Sequence, residues 1–256
     1  MRARFSREVA AAGLAAPGRP GPVVAEAELA GLPEVVRRYL AFMRVPGRPR
    51  DTSFRARFRG RFRPRRDGGW FPAEAWQFNS QPDVARIFHI RLRLAGVVPV
   101  YGRDTYVGGR GRMLIRPLDL FTVEDAQGEQ LDAGELVTYL NDAVLLAPSM
   151  LLVPGVSFTA VDADAFDVAL TNRGTTVRAR VFLDAGGAPR DFSTTDRFLQ
   201  GARTRWTTPV EGWELVEGRP LWTRGRAVWH LPEGELAYVE LRTEPGAVAY
   251  NVAPGS

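Results

Sequence analysis

A chain of 256 residues, 45% hydrophobic and 25% charged, has the size and composition of one large β-rich globular domain or two small ones. With no cysteine it can form no disulfide, thiolate nucleophile or Cys-type zinc site, and two histidines, His89 and His230, are too few for a histidine-rich metal centre. The net charge of +5 comes from arginine alone, since all 34 basic residues are Arg; that bias fits GC-rich codon usage better than selection for phosphate contacts and argues against a dedicated nucleic-acid face.

Residues 1–30 are rich in Ala, Gly and Pro and lack a strong period. The opening MRARFSREVAAAGLAAPGRP faintly resembles a signal peptide, but Arg7 and Glu8 fall late and the alanine run is short and weakly apolar. The expectation is a flexible or loosely packed arm over 1–30, followed by a single domain over 31–256 in a cytoplasmic protein. No apolar run reaches the ~18–20 residues of a membrane helix. Leu32-Pro33 opens a helix with Leu32, Val36, Tyr39, Leu40 and Met43 on its apolar face, stopped at Val45-Pro46-Gly47.

A strand follows, with Phe54, Ala56, Phe58, Gly60 and Phe62 alternating with Arg55, Arg57, Arg59, Arg61 and Arg63. Gly60 on the apolar face predicts a sharp bend or a close helix approach. Asp67-Gly68-Gly69 predicts a hairpin into Trp70–Phe78, and a third strand spans Val84–Leu94. Gly96–Val123 reads as a long hairpin around YGRDTYVGGRGRM, and Asp125–Gly128 as a turn. The central helix starts near Leu131, with Asp132 as N-cap and Glu135 closing a capping box. Its stripe of Leu136, Tyr139, Leu140, Ala143, Val144 and Ala147 is wide enough to be buried on most sides, and Pro148 breaks it. The remainder reads as a meander: Phe166–Thr171, Thr176–Leu183, Arg190–Phe198, Thr204–Pro209, a Gly-Trp loop, Leu221–Leu231, Glu235–Thr243 and Ala247–Val252. The predicted fold is mostly β (α+β): one curved antiparallel sheet, barrel or half-barrel, around one central helix, with a second helix near the N-terminus.

The string Asp104-x-Tyr106-x-x-Gly109-x-Gly111, with GELVTYLNDAVLLAPSMLL and RPLWTRGRAVWHLPEGELAY, resembles an uncharacterised bacterial family catalogued only as a domain of unknown function. The resemblance runs from about Leu32 to Val252 and implies a fold and a bacterial source, not a reaction. More loosely, the organisation resembles lipoprotein-carrier and lipocalin-like folds, in which a curved sheet holds an apolar cavity partly plugged by helices. That comparison rests on architecture, and fold does not imply function.

Several residues carry candidate chemistry. Asp104 and Tyr106, two apart in a strand, face the same way, so a carboxylate and a phenol share one environment; the structural expectation for Asp104 is burial against an arginine with hydrogen bonds. Asp142 sits at the edge of the helix stripe, and Asp196-Arg197 has a similar status as a polar group within the sheet. His89 lies among Ile87, Phe88 and Ile90 and gains catalytic meaning only beside Asp104. Gly108–Gly111 is not followed by the Gly-Lys-Ser/Thr of a phosphate loop and reads as a bulge or a place of close packing. The arginine ladder is a solvated face, or else meets a peripheral anionic surface or an acidic protein partner. No nucleophile-elbow or zinc-protease motif is present, and nothing calls for a metal or cofactor.

Three readings follow. The first is a binding module for a lipid-like or other apolar small molecule, its wall made of Phe54, Phe58, Trp76, Phe88, Tyr106, Leu140 and Val144, with Asp104 as polar anchor and a cavity of at least ~300 Å³. The second is an enzyme for a small hydrophobic substrate, with Asp104, Tyr106, His89 and Asp142 converging. The third is an interaction domain that presents Arg55–Arg63.

Overall fold

The structure, a computed structural model, describes residues 2–14, 18–94 and 97–254. Helices α1 (Arg2–Ala11), α2 (Glu26–Leu29) and α3 (Glu34–Phe42) come first, then β1 (Ser53–Phe62), β2 (Phe71–Ser80), β3 (Ala85–Leu94), β4 (Val98–Val107), β5 (Arg110–Pro117) and β6 (Glu124–Gln127). Helix α4 (Glu129–Leu146) runs into a 3-10 turn (Pro148–Leu151). After it come β7 (Val156–Ala160), β8 (Ala165–Asn172), β9 (Thr175–Leu183), β10 (Pro189–Thr194), β11 (Phe198–Leu199), β12 (Ala202–Arg203), β13 (Trp206–Thr207), β14 (Val210–Val216), β15 (Arg219–Leu231), β16 (Gly234–Arg242) and β17 (Val248–Tyr250).

Fifteen of these strands form one antiparallel sheet in the order β6-β5-β4-β3-β2-β1-β16-β15-β13-β10-β9-β8-β7, with β14 added to β15 and β17 to β1. β6 and β7 are its edges, so it does not close into a barrel. Helix α4 packs on β3, β4 and β5 from one half and on β9 and β15 from the other, so the sheet wraps around it. The mostly-β fold around one central helix is as the sequence predicts.

The apolar series of β1 faces inward, with Phe54, Ala56 and Phe58 buried against the α4 side. Gly60 allows a close approach, but of a strand rather than a helix: a Cβ there would lie 1.8 Å from the Glu240 carbonyl oxygen of β16. β1 also changes partner nearby, pairing with β17 at Phe54–Ala56 and with β16 at Arg59–Phe62.

Helix α4 begins at Glu129, four residues before the start that an Asp132 N-cap implies. Gly128 takes the N-cap position with φ +121° and supplies no side-chain cap. Asp132 is therefore inside the first turn, where its carboxylate accepts hydrogen bonds from the Gly111 N–H (2.6 Å) and from Arg110 (3.0 Å). Glu135 closes no capping box, because its carboxylate is turned to Arg86. Gly108 and Gly109, both at positive φ, make the β4–β5 turn. Gly111 lets the helix sit on β5, since a Cβ there would lie 2.4 Å from the Leu131 carbonyl oxygen. Gly111→Ala is expected to cost about 1–3 kcal/mol by forcing α4 off β5, read as a lower midpoint in chemical denaturation. An unchanged midpoint would show that the contact relaxes freely.

The other end of α4 is satisfied by tyrosines. Tyr39 Oη donates to the Val144 carbonyl (2.7 Å) and Tyr250 Oη to the Leu146 carbonyl (3.0 Å), two of the acceptors that a helix end leaves open. Pro148 ends the helix as predicted. The structure adds β6 and β14 where the sequence reads a turn and a loop, the latter through the Gly-Trp segment with Gly212 at φ +70°, and β7 in a segment to which the sequence reading gives no element.

Within the arm over 1–30, α1 lies on the outer face of the sheet. Its Phe5 and Val9 are buried against Trp76, Phe78 and Ile87.

Candidate functional site

A cavity of about 180 Å³ lies between the concave face of the sheet and one side of α4, partly open to solvent. From the helix it is lined by Thr138, Asn141, Asp142, Leu145 and Leu146. The spacing i, i+3, i+4, i+7, i+8 is a single helical face, polar toward the N-terminus and apolar toward the C-terminus. It lies beside the stripe of Leu136, Leu140, Ala143 and Val144, which is packed solidly into the core. The sheet supplies Phe58 from β1, Phe88 and Ile90 from β3, Asp104 from β4 and Trp222 and Ala227 from β15. Phe58 and Trp222 stack at 5.6 Å with 10° between their planes, forming a flat aromatic wall.

One end of the cavity is ionic. The Arg86 side chain, 6% exposed, donates from Nε to Asp142 Oδ2 (2.7 Å) and from Nη1 to Glu135 Oε2 (3.0 Å), and it covers the Phe88 ring at 4.7 Å. Thr138 Oγ1 donates to the same Glu135 oxygen. Burial opposes the Arg86 charge, but Asp142, Glu135 and Asp104 outweigh it and raise its pKa. Burial raises the pKa of Asp142 against the pull of Arg86.

Asp104 differs from the sequence expectation. Arg86 is already committed to Glu135 and Asp142, so Asp104 faces the cavity without a hydrogen-bonding partner among the described residues. Burial first, then the Glu135 charge, push its pKa up to about 7, with Arg86 and Arg197 pulling only partly the other way. Arg197 lies over the Trp206 ring at 4.5 Å and the Trp229 ring at 5.4 Å at the cavity border. An acid that changes charge near neutrality in an apolar cavity can donate or accept a hydrogen bond according to pH.

The structure brings some predicted site residues together and separates others. Phe58, Phe88, Asp104 and Asp142 line the one cavity. Phe54, Leu140 and Val144 are core residues. Tyr106 is fully buried and its hydroxyl accepts a hydrogen bond from Asn172 Nδ2 (3.0 Å), which holds it to the β8–β9 turn. Trp76 and His89 are cross-strand partners on the opposite face, under α1. His89 Nε2 is 2.8 Å from Glu8 Oε2 and its ring meets Phe5 edge-on, so it does not pair with Asp104. Burial works against the Glu8 charge, but the His89 hydrogen bond, with His89 and Arg103 nearby, lowers its pKa overall. Arg86, Glu135 and Trp222, which shape the site, have no site role in the sequence reading, and Arg197 enters it only with Asp196, as a polar group within the sheet. Among the described residues no cluster of three or more His, Asp or Glu side chains suits a metal ion.

The arginine ladder is occupied within the sheet. Arg61 pairs with Glu240 (2.6 Å) and Arg59 with Glu244 (3.6 Å), Arg57 covers Trp76, Arg63 donates to the Ala237 carbonyl, and Arg55 also has a partner. The cavity is smaller than the ~300 Å³ at the lower end for sites that enclose drug-sized ligands.

The solved structures similar to this one include the following two. A putative outer membrane lipoprotein-sorting protein domain from Vibrio parahaemolyticus is 11% identical, with a TM-score of 0.47 over 85% of this chain and 91% of its own. A DUF1329 family protein from Desulfovibrio piger is 12% identical, with a TM-score of 0.47 over 91% of this chain and 95% of its own. No curated protein matches the chain. The family model that does match covers residues 22–241, including the Asp104–Gly111 string, α4 and the strands that form the cavity, and the chain belongs to that family, the family of unknown function DUF6544.

Proposed function

We propose that the protein binds an apolar small molecule, or the apolar end of a longer lipid-like one, in the cavity beside α4, with Asp104 bonding its polar end. The observation that carries this reading is a space of about 180 Å³, walled by Phe58, Phe88, Leu145 and Trp222, that ends on an acid with no hydrogen-bonding partner among the described residues. Its size restricts what can be enclosed: an apolar cavity of about 150 Å³ accepts a benzene-sized molecule, so a single ring or a short alkyl chain fits and a whole lipid must protrude.

Trp206 and Trp222 in the wall provide a reporter. Titration with 8-bromooctan-1-ol is expected to quench tryptophan fluorescence saturably in the wild type. In Ala227→Phe, where the new ring fills the cavity, quenching is expected to be weak and linear. Linear quenching in both proteins would refute enclosed binding.

A second reading is acid–base catalysis, favoured by Asp104, with a pKa near 7, and Asp142 lining the same cavity. It keeps only the carboxylates of the expected four-residue constellation. Hydrolysis of p-nitrophenyl butyrate that disappears in both Asp104→Asn and Asp142→Asn would support it; turnover unchanged in either variant, or none in the wild type, would count against it.

A further inference from the structure

Of the nine large apolar side chains exposed among the described residues, six lie together: Val97 and Val98 at the start of β4, and Leu118, Leu120, Phe121 and Val123 in the β5–β6 connection. Backbone hydrogen bonds bind the two segments into one tip, from the Leu118 N–H to the Pro99 carbonyl and from the Val123 N–H to the Ile115 carbonyl. Leu120, Phe121 and Val123 are 69, 64 and 61% exposed, a density of apolar surface that a soluble face does not need.

Beside the tip is a basic cavity of about 240 Å³ between α1 and the outer face of β4 and β5, lined by Arg4, Arg7, Arg103 and Arg116. Two carboxylates oppose these four arginines. Glu8 accepts from Arg103 (2.9 Å), and Asp119, inside the tip, contacts Arg4 and Arg116. Nearby, Glu124 adds one acidic group, while Asp125 is held by Arg112. The excess of cations is felt locally: burial, then Arg103 and Arg116, lower the pKa of Arg4. Joining the two features, Asp119 lines the basic cavity while its neighbours Leu118, Leu120 and Phe121 project into solvent.

We infer that this edge of the sheet docks on an anionic phospholipid membrane, the β5–β6 tip entering the interfacial region and the arginine cavity taking a headgroup phosphate. Apolar insertion and attraction of basic groups to anionic lipid are the two contributions that together hold a peripheral protein on a bilayer. A neutral apolar partner would leave the arginine cavity unused, and a free anion would leave the tip unused.

Co-sedimentation with vesicles of equal parts phosphatidylglycerol and phosphatidylcholine, against vesicles of phosphatidylcholine alone, tests the inference on the full chain. The wild type is expected to bind the anionic vesicles, and less as salt rises. Arg4→Ala with Arg7→Ala should weaken partition roughly thirtyfold. Leu120→Asp with Phe121→Asp, at exposed positions, should abolish binding while the melting temperature stays within experimental error. Four results would overturn the inference: no binding to anionic vesicles, equal binding by the Asp variant, stabilisation by inorganic phosphate without vesicle binding, or self-association broken by the same Asp variant.

Discussion

Arg86→Met should be the most damaging conservative change in the domain, with a stability loss of about 3–5 kcal/mol at neutral pH. Arg86 is the cation between Glu135 and Asp142, and both carboxylates are at most 13% exposed. Methionine keeps much of the volume but leaves two buried anions without their counter-charge. For a domain of this size the loss corresponds to roughly 10–15 °C in melting temperature. The deficit should shrink as pH falls, because each stranded carboxylate can then take up a proton. Replacing all three charges at once, with Arg86→Met, Glu135→Met and Asp142→Leu, should recover most of it, since a buried ionic group exchanged for packed apolar side chains is often neutral. A melt of Arg86→Met within 2 °C of wild type, by the same scaling, would mean that the cluster is far better solvated than its burial indicates.

Asp104→Asn should raise stability at neutral pH, the reverse of what an arginine-bonded aspartate would give. The folded pKa, about 7, lies above the ordinary 3.8. Between these values the unfolded chain has released a proton that the folded chain retains, so folding stability falls as pH rises from about 4 to about 7 and is level above. The asparagine variant lacks this slope. Its advantage over wild type should therefore be absent near pH 3.5, grow through pH 5 and 6, and stop growing above pH 7. At about 1.4 kcal/mol per pKa unit the full shift sets an upper bound of about 4.5 kcal/mol, and the measured difference should be about 2–4 kcal/mol, because the carboxyl keeps some solvent contact through the cavity. Melts of both proteins across this range decide it; a constant difference, or a variant less stable at pH 8, would assign Asp104 a structural hydrogen bond instead.

Where one face of a strand is wet, the sequence was legible. The Phe/Arg alternation of β1 gives its inward face directly, and the wide stripe of α4 gives a helix buried on most sides. Legibility failed where both faces are covered. In β2 and β3 the concave side packs toward α4 and the outer side under α1, so Trp76 and His89 sit among apolar neighbours like those of Phe88 and Ile90 and parity cannot be read. β14 was hidden by Gly212 and Trp213, which read as a loop, and β6 by its polar sequence EDAQ at the sheet edge. The ionic end of the cavity depends on partners 49 and 56 residues apart, which no local pattern announces. One signal was available: Thr138, Asn141 and Asp142 precede Leu145 and Leu146 on one helical face, and a polar patch on a helix read as buried nearly all round marks a space or a charge partner opposite it.

An apolar ligand enclosed between α4 and the sheet should place its polar end on Asp104. The most direct measurement is a crystal structure of the protein with 8-bromooctan-1-ol, using the anomalous signal of bromine to place the chain end. The bromine is expected between the Phe58–Trp222 stack and Leu145, with the hydroxyl within hydrogen-bonding distance of the Asp104 carboxyl. Bromine only on the outer surface, with the cavity closed by rearranged side chains, would contradict it.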